Sequence, residues 1–179
     1  MFSLCSDVFS GKRFDAKYSI PTTGMSLGVM VWCAINGKGE LCLKRCPPRV
    51  DAVAYQGILQ SAMGFIRPKA TTRCSYFQQD GASVHTATST MKWLHQNGVK
   101  LLNGGCWPPN SPDLNPVEHI WPLVSRQLEQ TVLSSTDHLW SALQAAFATI
   151  TKEQILNLYG TMQRRLASVI VANGSHTKY

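Results

Sequence analysis

The run GVMVWCAI (28–35), halted at Asn36-Gly37 and resumed as ELCLKRC (40–46), constrains the fold of this chain more than any other stretch. A continuous β-favouring run, a hairpin-type turn and an alternating second run read as two adjacent antiparallel strands. Pro47-Pro48 ends the second of them. Ahead of both, MFSLC (1–5) is short and apolar, with Asp7 close behind it. The chain therefore opens on three strands in meander.

Helical patterning follows. Asp51 can cap a helix through about Ile66, with Val53, Ile58, Leu59, Ala62 and Phe65 on an apolar stripe. CSYFQQ (74–79) reads as a buried strand ending at Asp80-Gly81. A helix from about Thr86 to Gln96 is closed by Asn97-Gly98, and Val99–Leu102 makes a short strand. A Gly- and Pro-rich loop from Asn103 to Pro116 leads into helices over about 116–132, 137–150 and 152–172. Thr151 and Gln154 have capping-box spacing, and Gly174 after Asn173 can end the last helix. Three meandering strands followed by alternating α and β predict an α/β fold, a mixed RNase H-like sheet flanked by helices. The core is expected over about 1–133 and a helical C-terminal extension over about 134–179. Ligands of such sheets sit off the carboxyl ends of strands, where Asp7 and Asp80 fall.

The 179 residues suit one domain, and 44% apolar with 15% charged residues is a globular balance. The net charge of +7 is uneven. Residues 1–73 carry 10 Lys/Arg against 4 Asp/Glu, which fits a polyanionic partner. Modest positive charge serving solubility alone is the competing reading. Six cysteines without a secretory segment ahead of them point to a reducing compartment and buried thiols, and Cys42–Cys46 is a lone C-x3-C without a second pair. No apolar run approaches the ~18 residues that span a bilayer, so no membrane partner is expected.

Two carboxylates stand out. Asp80 ends an apolar strand, placing its side chain at the sheet rim in reach of solvent and metal; alternatively it is an Asp-Gly turn residue bonding its own backbone. His85, five residues on, reads as a surface or N-terminal-turn histidine. Glu118 follows Asn115-Pro116-Val117, so it can act as the third-position partner of an Asn115 cap, worth on the order of 1 kcal/mol. No ordinary cap, however, needs all of SPDLNPVEHIW. Hard oxygen donors at two element ends are what a divalent cation for phosphodiester chemistry requires.

The motifs carry a resemblance. QQDGASVH (78–85) resembles the Gln-Gln-Asp…His motif of mariner-type (Tc/mariner) DDE transposases. WPPNSPDLNPVEHIW (107–121) resembles their Trp-Pro…Ser-Pro-Asp-Leu-Asn-Pro-(Ile/Val)-Glu motif. VMVWCAI resembles the family's Val-Met-Val-Trp-Gly strand, with Cys33 where Gly is usual, and MQRRLASVIVANGSHTKY its closing Met-Pro-Arg-Arg segment, with Gln163 replacing Pro. The resemblance covers roughly 12–179. It implies DNA cleavage and strand transfer with Mg²⁺ or Mn²⁺, with Asp80 and Glu118 as second and third catalytic carboxylates and metal ligands. Asp113 would organise its loop as an Asx-turn residue. Ser6-Asp7-Val8 is the only candidate for the first carboxylate, with Val8 in place of the usual Glu. Either the hairpin after Asp7 is shortened, or Asp7 is a chance residue.

Transposon-end and target DNA are the implied partners, a homo-dimer the possible assembly, and the nucleus the location in a eukaryote. Lys12, Arg13, Lys44, Arg45, Arg164 and Arg165 are candidate phosphate contacts, with solvated surface charge the alternative for each. The family's N-terminal helix-turn-helix modules are expected to be absent, which suggests a truncated copy. The alternative is a catalytically inactive remnant that binds DNA or protein; a ribonuclease on the same fold is the weaker third reading.

Overall fold

A computed structural model describes residues 2–9, 28–67, 76–108, 111–129, 131–175 and 177, the first of these segments by its backbone. Strands β1 (Phe2–Phe9), β2 (Gly28–Ile35) and β3 (Leu41–Arg45) form an antiparallel sheet with β2 in the middle. β1 runs further than MFSLC predicts, so Asp7 lies inside the strand, opposite Met30, and not beyond its end.

β2 is buried on both faces. With side chains alternating along a strand, Val29, Val31, Cys33 and Ile35 enter one core with Val117, Ile120, Leu139, Leu143, Phe147 and Ile155. Trp32 and Ala34 enter the other with Tyr55, Ile58, Leu59, Phe77 and Leu94. Helices on both faces explain why the run is continuously apolar and does not alternate. Burial pushes the Cys33 thiol well above its usual range, so it is an inert packing group.

The β2–β3 connection is not a two-residue Asn-Gly turn. It spans residues 36–40: Asn36 Oδ1 accepts from the amides of Lys38 (3.0 Å) and Glu40 (3.1 Å), and its Nδ2 donates to Glu40 Oε2 (2.7 Å). Positive φ falls on Gly39 (+77°) and not on Gly37. A Cβ on Gly39 would also meet the Lys152 carbonyl at 2.9 Å, where the turn seats against the start of a C-terminal helix.

Helix α1 (Ala52–Ser61) begins at the expected Asp51 cap, whose Oδ1 accepts from Ala54 N at 2.8 Å, but it breaks at Ala62 before a single turn, α2 (Met63–Ile66). Its buried face is Tyr55, Ile58, Leu59, Ala62 and Ile66; Val53 is 75% exposed and does not belong to it. The expected strand 74–79 is described from Tyr76 onward, where Phe77 pairs with Leu101 in a parallel bridge. Two helices replace the one expected over 86–96, α3 (Ser83–Thr86) and α4 (Thr88–Gln96), divided by an extended Ala87.

Beyond the loop, Pro116–His119 forms a 3-10 turn and α5 (Trp121–Leu128) starts afresh, because Pro122 has no N–H for the Glu118 carbonyl. α6 (Thr136–Ala148) follows, then α7 (Lys152–Gly160), which opens on the expected Thr151–Gln154 capping box. α8 (Met162–Val171) is separate from α7, broken at Thr161, and is followed beyond its Ala172 cap by Asn173 and Gly174, both with positive φ. The Tyr159 hydroxyl donates to the Ile35 carbonyl at 2.9 Å, fastening α7 to the end of β2. No described helix is long and apolar enough to cross a membrane.

The turn geometry separates two glycines. Gly39→Ala places a Cβ at positive φ against backbone and should lower stability in urea titration by at least about 1 kcal/mol. Gly37→Ala meets nothing within 4 Å and should leave the midpoint unchanged.

Candidate metal centre

Asp80 follows directly on the segment that Phe77 ties to its parallel neighbour, through Phe77 N to the Lys100 carbonyl (2.7 Å) and Leu102 N to the Phe77 carbonyl (2.9 Å). The side chain is held by two bonds to one oxygen. Asp80 Oδ1 accepts from Ala82 N at 3.0 Å and is 2.5 Å from His85 Nδ1. The first of these is the Asx turn expected of an Asp-Gly pair; the second is not. His85 is no surface histidine: its ring is fully buried and stacks on Tyr55, with centroids 4.3 Å apart. Asp80 Oδ2 has no hydrogen-bond partner among the described residues.

Both glutamines of the motif are buried and structural. Gln79 Nε2 donates to the His85 carbonyl (2.9 Å), and Gln79 Oε1 accepts from the Tyr55 hydroxyl (2.9 Å). Gln78 Nε2 donates to the Gln79 carbonyl. Tyr55, Gln79 and His85 thus form a buried polar cluster that ties the α3 turn to α1, and the ring in turn holds Asp80, while His85 Nε2 has no hydrogen-bond partner among the described residues.

Glu118 arrives by another route. Val117 and Ile120, both fully buried, anchor its 3-10 turn in the core that also holds one face of β2. The capping alternative is not realised. Asn115 makes no side-chain cap bond, and its own N–H is committed to the Pro112 carbonyl at 3.0 Å. Among the described residues nothing hydrogen-bonds the Glu118 carboxylate, and its place in the turn owes nothing to a capping box. β1, which contains Asp7, runs beside this turn.

Asp80 and Glu118 line one open cleft of about 370 Å³, with Gly81, Trp107, Ser111 and Asn115 among its other walls. Their titrations are driven apart. Burial would raise the Asp80 carboxyl, but the hydrogen bond and charge of His85 and the Ala82 amide outweigh it, so its pKa is lowered. Glu118 is raised, first by burial and then by the charge of Asp80. A half-buried carboxylate without a partner, facing the charge of a second one, is a donor set that a divalent cation fits. Among the described residues no third His, Cys, Asp or Glu completes a cluster.

The DDE superfamily endonuclease model matches residues 8–139. The chain belongs to that superfamily. Within it, the chain is a Tc/mariner-type catalytic domain. It is 35% identical over 170 residues to the Tc1 transposase of Caenorhabditis elegans, covering 94% of this chain and 61% of that protein. The Tc3 transposase of the same organism is 28% identical over 84% of the chain and 46% of its own length. The chain thus spans about three fifths, or less, of these relatives. Its fold is the RNase H-like fold of the Mos1 transposase catalytic domain, solved with raltegravir and Mn (TM-score 0.72, 19% identity, 99% of this chain and 84% of that one). The Mos1 mariner paired-end complex with Mn gives a TM-score of 0.76 at 20% identity, over 99% of this chain and 56% of that one.

The structure disposes of the predicted DDE-family site residues unevenly. Asp80 and Glu118 meet. Asp7 sits in β1 beside the Glu118 turn. Lys12 and Arg13 lie outside the described residues. Arg45 is exposed but pairs with Asp137 at 2.7 Å, Lys44 is half-buried and Arg164 exposed. Arg165 is 3% exposed, with its donors spent inside the protein, so it is not a surface phosphate contact. Asp113 does bond within its loop, but not as the expected Asx turn: its Oδ1 accepts from the adjacent Leu114 N (3.1 Å) and its Oδ2 from the distant Thr177 hydroxyl (2.9 Å), while Asn115 N goes to the Pro112 carbonyl. Sequence reasoning missed the supporting roles of Tyr55, Gln79 and His85. The Gln-Gln-Asp…His motif held Gln79 and His85 as a signal, but nothing in the sequence pointed to Tyr55.

The two carboxylates should respond oppositely to neutralisation in metal-free protein. Glu118 has a raised pKa, so its ionised form costs stability above that pKa and the cost vanishes as pH falls through it. Glu118→Gln should therefore raise the melting temperature at neutral pH, by about 2–4 °C for each kcal/mol relieved. The gain should fade in acid. Asp80, with a lowered pKa, contributes stability above its unfolded pKa that is lost as pH falls through the folded one. Asp80→Asn leaves a buried imidazole poorly matched and should lower stability by about 1–3 kcal/mol. Calorimetry of both variants from pH 4 to 8 checks the pair of signs.

Proposed function

We propose that this chain is the catalytic domain of a transposase that cleaves DNA and transfers strands with Mg²⁺ or Mn²⁺, on transposon-end and target DNA, as a homo-dimer in the nucleus. The observation that carries the reading is the split carboxylate pair: one oxygen of Asp80 immobilised by a buried histidine, and Glu118 raised by Asp80 across an open cleft. Mos1 solved as a pre-cleavage transpososome and as a strand transfer complex supports DNA as the partner.

Asp80 would offer Oδ2 to the cation while His85 keeps its Oδ1 from rotating, and Glu118 would supply the opposing ligand. Asp7, from the strand beside the Glu118 turn, would be the third. When bound, divalent ions supply Lewis-acid activation of the attacking water or 3′-OH and stabilise the leaving oxygen. Lys12, Arg13, Lys44, Arg45 and Arg164 would meet phosphates along the approach to the cleft.

A second reading is favoured by one observation. Only two carboxylates meet among the described residues, and Val8 follows Asp7 where the family has Glu. A copy with that defect would bind DNA and metal without cutting.

Two measurements decide between them. Non-specific DNA binding should weaken steeply with salt, each neutralised phosphate adding about 0.9 to the logarithmic slope. Mn²⁺ should raise the melting temperature by mass action, and Asp80→Asn should remove that shift. Nicking of labelled element-end DNA by this chain with Mn²⁺, lost in Asp80→Asn and Glu118→Gln, would establish the enzyme and favour Asp7 as a working ligand. Metal binding with no nicking would establish the inactive remnant. A Mn²⁺ shift untouched by Asp80→Asn would refute both.

A further inference from the structure

The loop that carries Glu118 is closed by a residue from far along the chain. Arg165, in the first turn of α8, is 3% exposed and places its guanidinium under the loop 111–119. Its Nη1 donates to the Asp113 carbonyl at 3.1 Å and also to the ring nitrogen Nε2 of His119, while its Nε donates to the Thr161 hydroxyl at 2.8 Å. Asp113 and His119 flank the turn on either side of Glu118. A planar guanidinium is suited to joining several acceptors in fixed geometry, which an ammonium on a flexible stem is not. A second clasp lies beside it, where the Thr177 hydroxyl donates to Asp113 Oδ2 at 2.9 Å.

Nothing local could replace this clasp. The loop is built from short 3-10 turns around Pro112 and Pro116, without a side-chain cap at either. Its apolar anchors are Leu114, Pro116 and Val117, which with the buried Asn115 fix the backbone below Glu118 but leave the flanks of the turn to polar bonds. Asp80, by contrast, has its own buried histidine. We propose that Arg165 is the positioning residue of Glu118, doing for the second carboxylate what His85 does for the first. The C-terminal helix is on this account a working part of the cleft, and its length of chain is not a mere appendage to the sheet. The metal-affinity arm below rests on the divalent-metal reading of the cleft; the positioning itself does not.

The test uses the whole chain and two readouts. Hydrogen exchange followed by mass spectrometry reports the loop without any metal. In Arg165→Ala, peptides spanning 111–120 should exchange faster while those of β2 and α6 keep their protection. Mn²⁺ titration followed by electron paramagnetic resonance reports the ligand. Its dissociation constant should rise by about 10–100-fold, the range found when outer-shell partners of metal ligands are removed. Arg165→Lys keeps the charge but cannot make all three bonds, so it should fall between Arg165→Ala and the parent in both readouts. It also carries the test if the alanine variant does not fold. Unchanged exchange over 111–120 in either folded variant overturns the proposal, as does an Arg165→Lys protein indistinguishable from the parent. If the parent protein binds no Mn²⁺ but loop exchange rises as expected, the metal reading falls and the positioning role stands. If Mn²⁺ affinity is lost in Asp80→Asn but unaffected in Arg165→Ala, the metal reading stands and the positioning role falls.

Discussion

A strand with no solvent face dictates much of what this molecule can be. β2 sends Val29, Val31, Cys33 and Ile35 into one core and Trp32 and Ala34 into the other, so neither layer of helices can be omitted without exposing half of its side chains. Each large apolar side chain so buried is worth about 1.5–3 kcal/mol. The two candidate ligands inherit this division. Asp80 and its support belong to the layer of Trp32, through Tyr55 and Phe77; Glu118 belongs to the layer of Val31, through Val117 and Ile120. The cleft lies where elements from the two layers come together, and its geometry is therefore set by the sheet between them. A change in the packing of β2 would alter the separation of the carboxylates before it altered either one alone.

The electrostatics of the pair show where stability has been given up. Asp80 is ionised at little cost, because a buried imidazole and a backbone amide face the same oxygen. Glu118 has no such compensation and feels Asp80 in addition to partial burial. Structural carboxylates commonly end up with partners; among the described residues this one does not, although a capping role was open to it three residues after Asn115. A half-buried carboxylate in that state is one whose charge a cation in the cleft would offset, which is the physical content of the proposed metal reading.

How much of this was visible in the sequence depends on the range of the interaction. β2 was legible to the residue, because a continuous apolar run that stops at an Asn-Gly turn signal is a local pattern. The Asp51 cap and the Thr151–Gln154 capping box were legible for the same reason, each a contact over three residues. Helix interruptions at Ala62, Ala87 and Thr161 were not, since propensity carries no mark there and tertiary packing decided them. The stripe on α1 was read with Val53 in place of Tyr55, because Val looks more apolar than Tyr until the hydroxyl has Gln79 to donate to. Asp80 and Glu118 could be named from motifs. Their convergence, the burial of His85 and the inward turn of Arg165 could not, because each is settled by contacts between distant parts of the chain.

Arg165 shows why charge is a poor guide at single positions. Adjacent arginines at 164 and 165 look equivalent in sequence and suggest a basic patch, yet a helix places neighbours about 100° apart, so one of two consecutive residues can face solvent while the other faces the core. Burying a guanidinium is costly unless its donors are satisfied. Here a hydroxyl, a carbonyl and an imidazole do so. These contacts hold the guanidinium against the loop from three directions. That charge lies behind the loop whose front carries Glu118. A residue that reads as surface charge in the sequence thus ties α8 to the loop on both sides of Glu118.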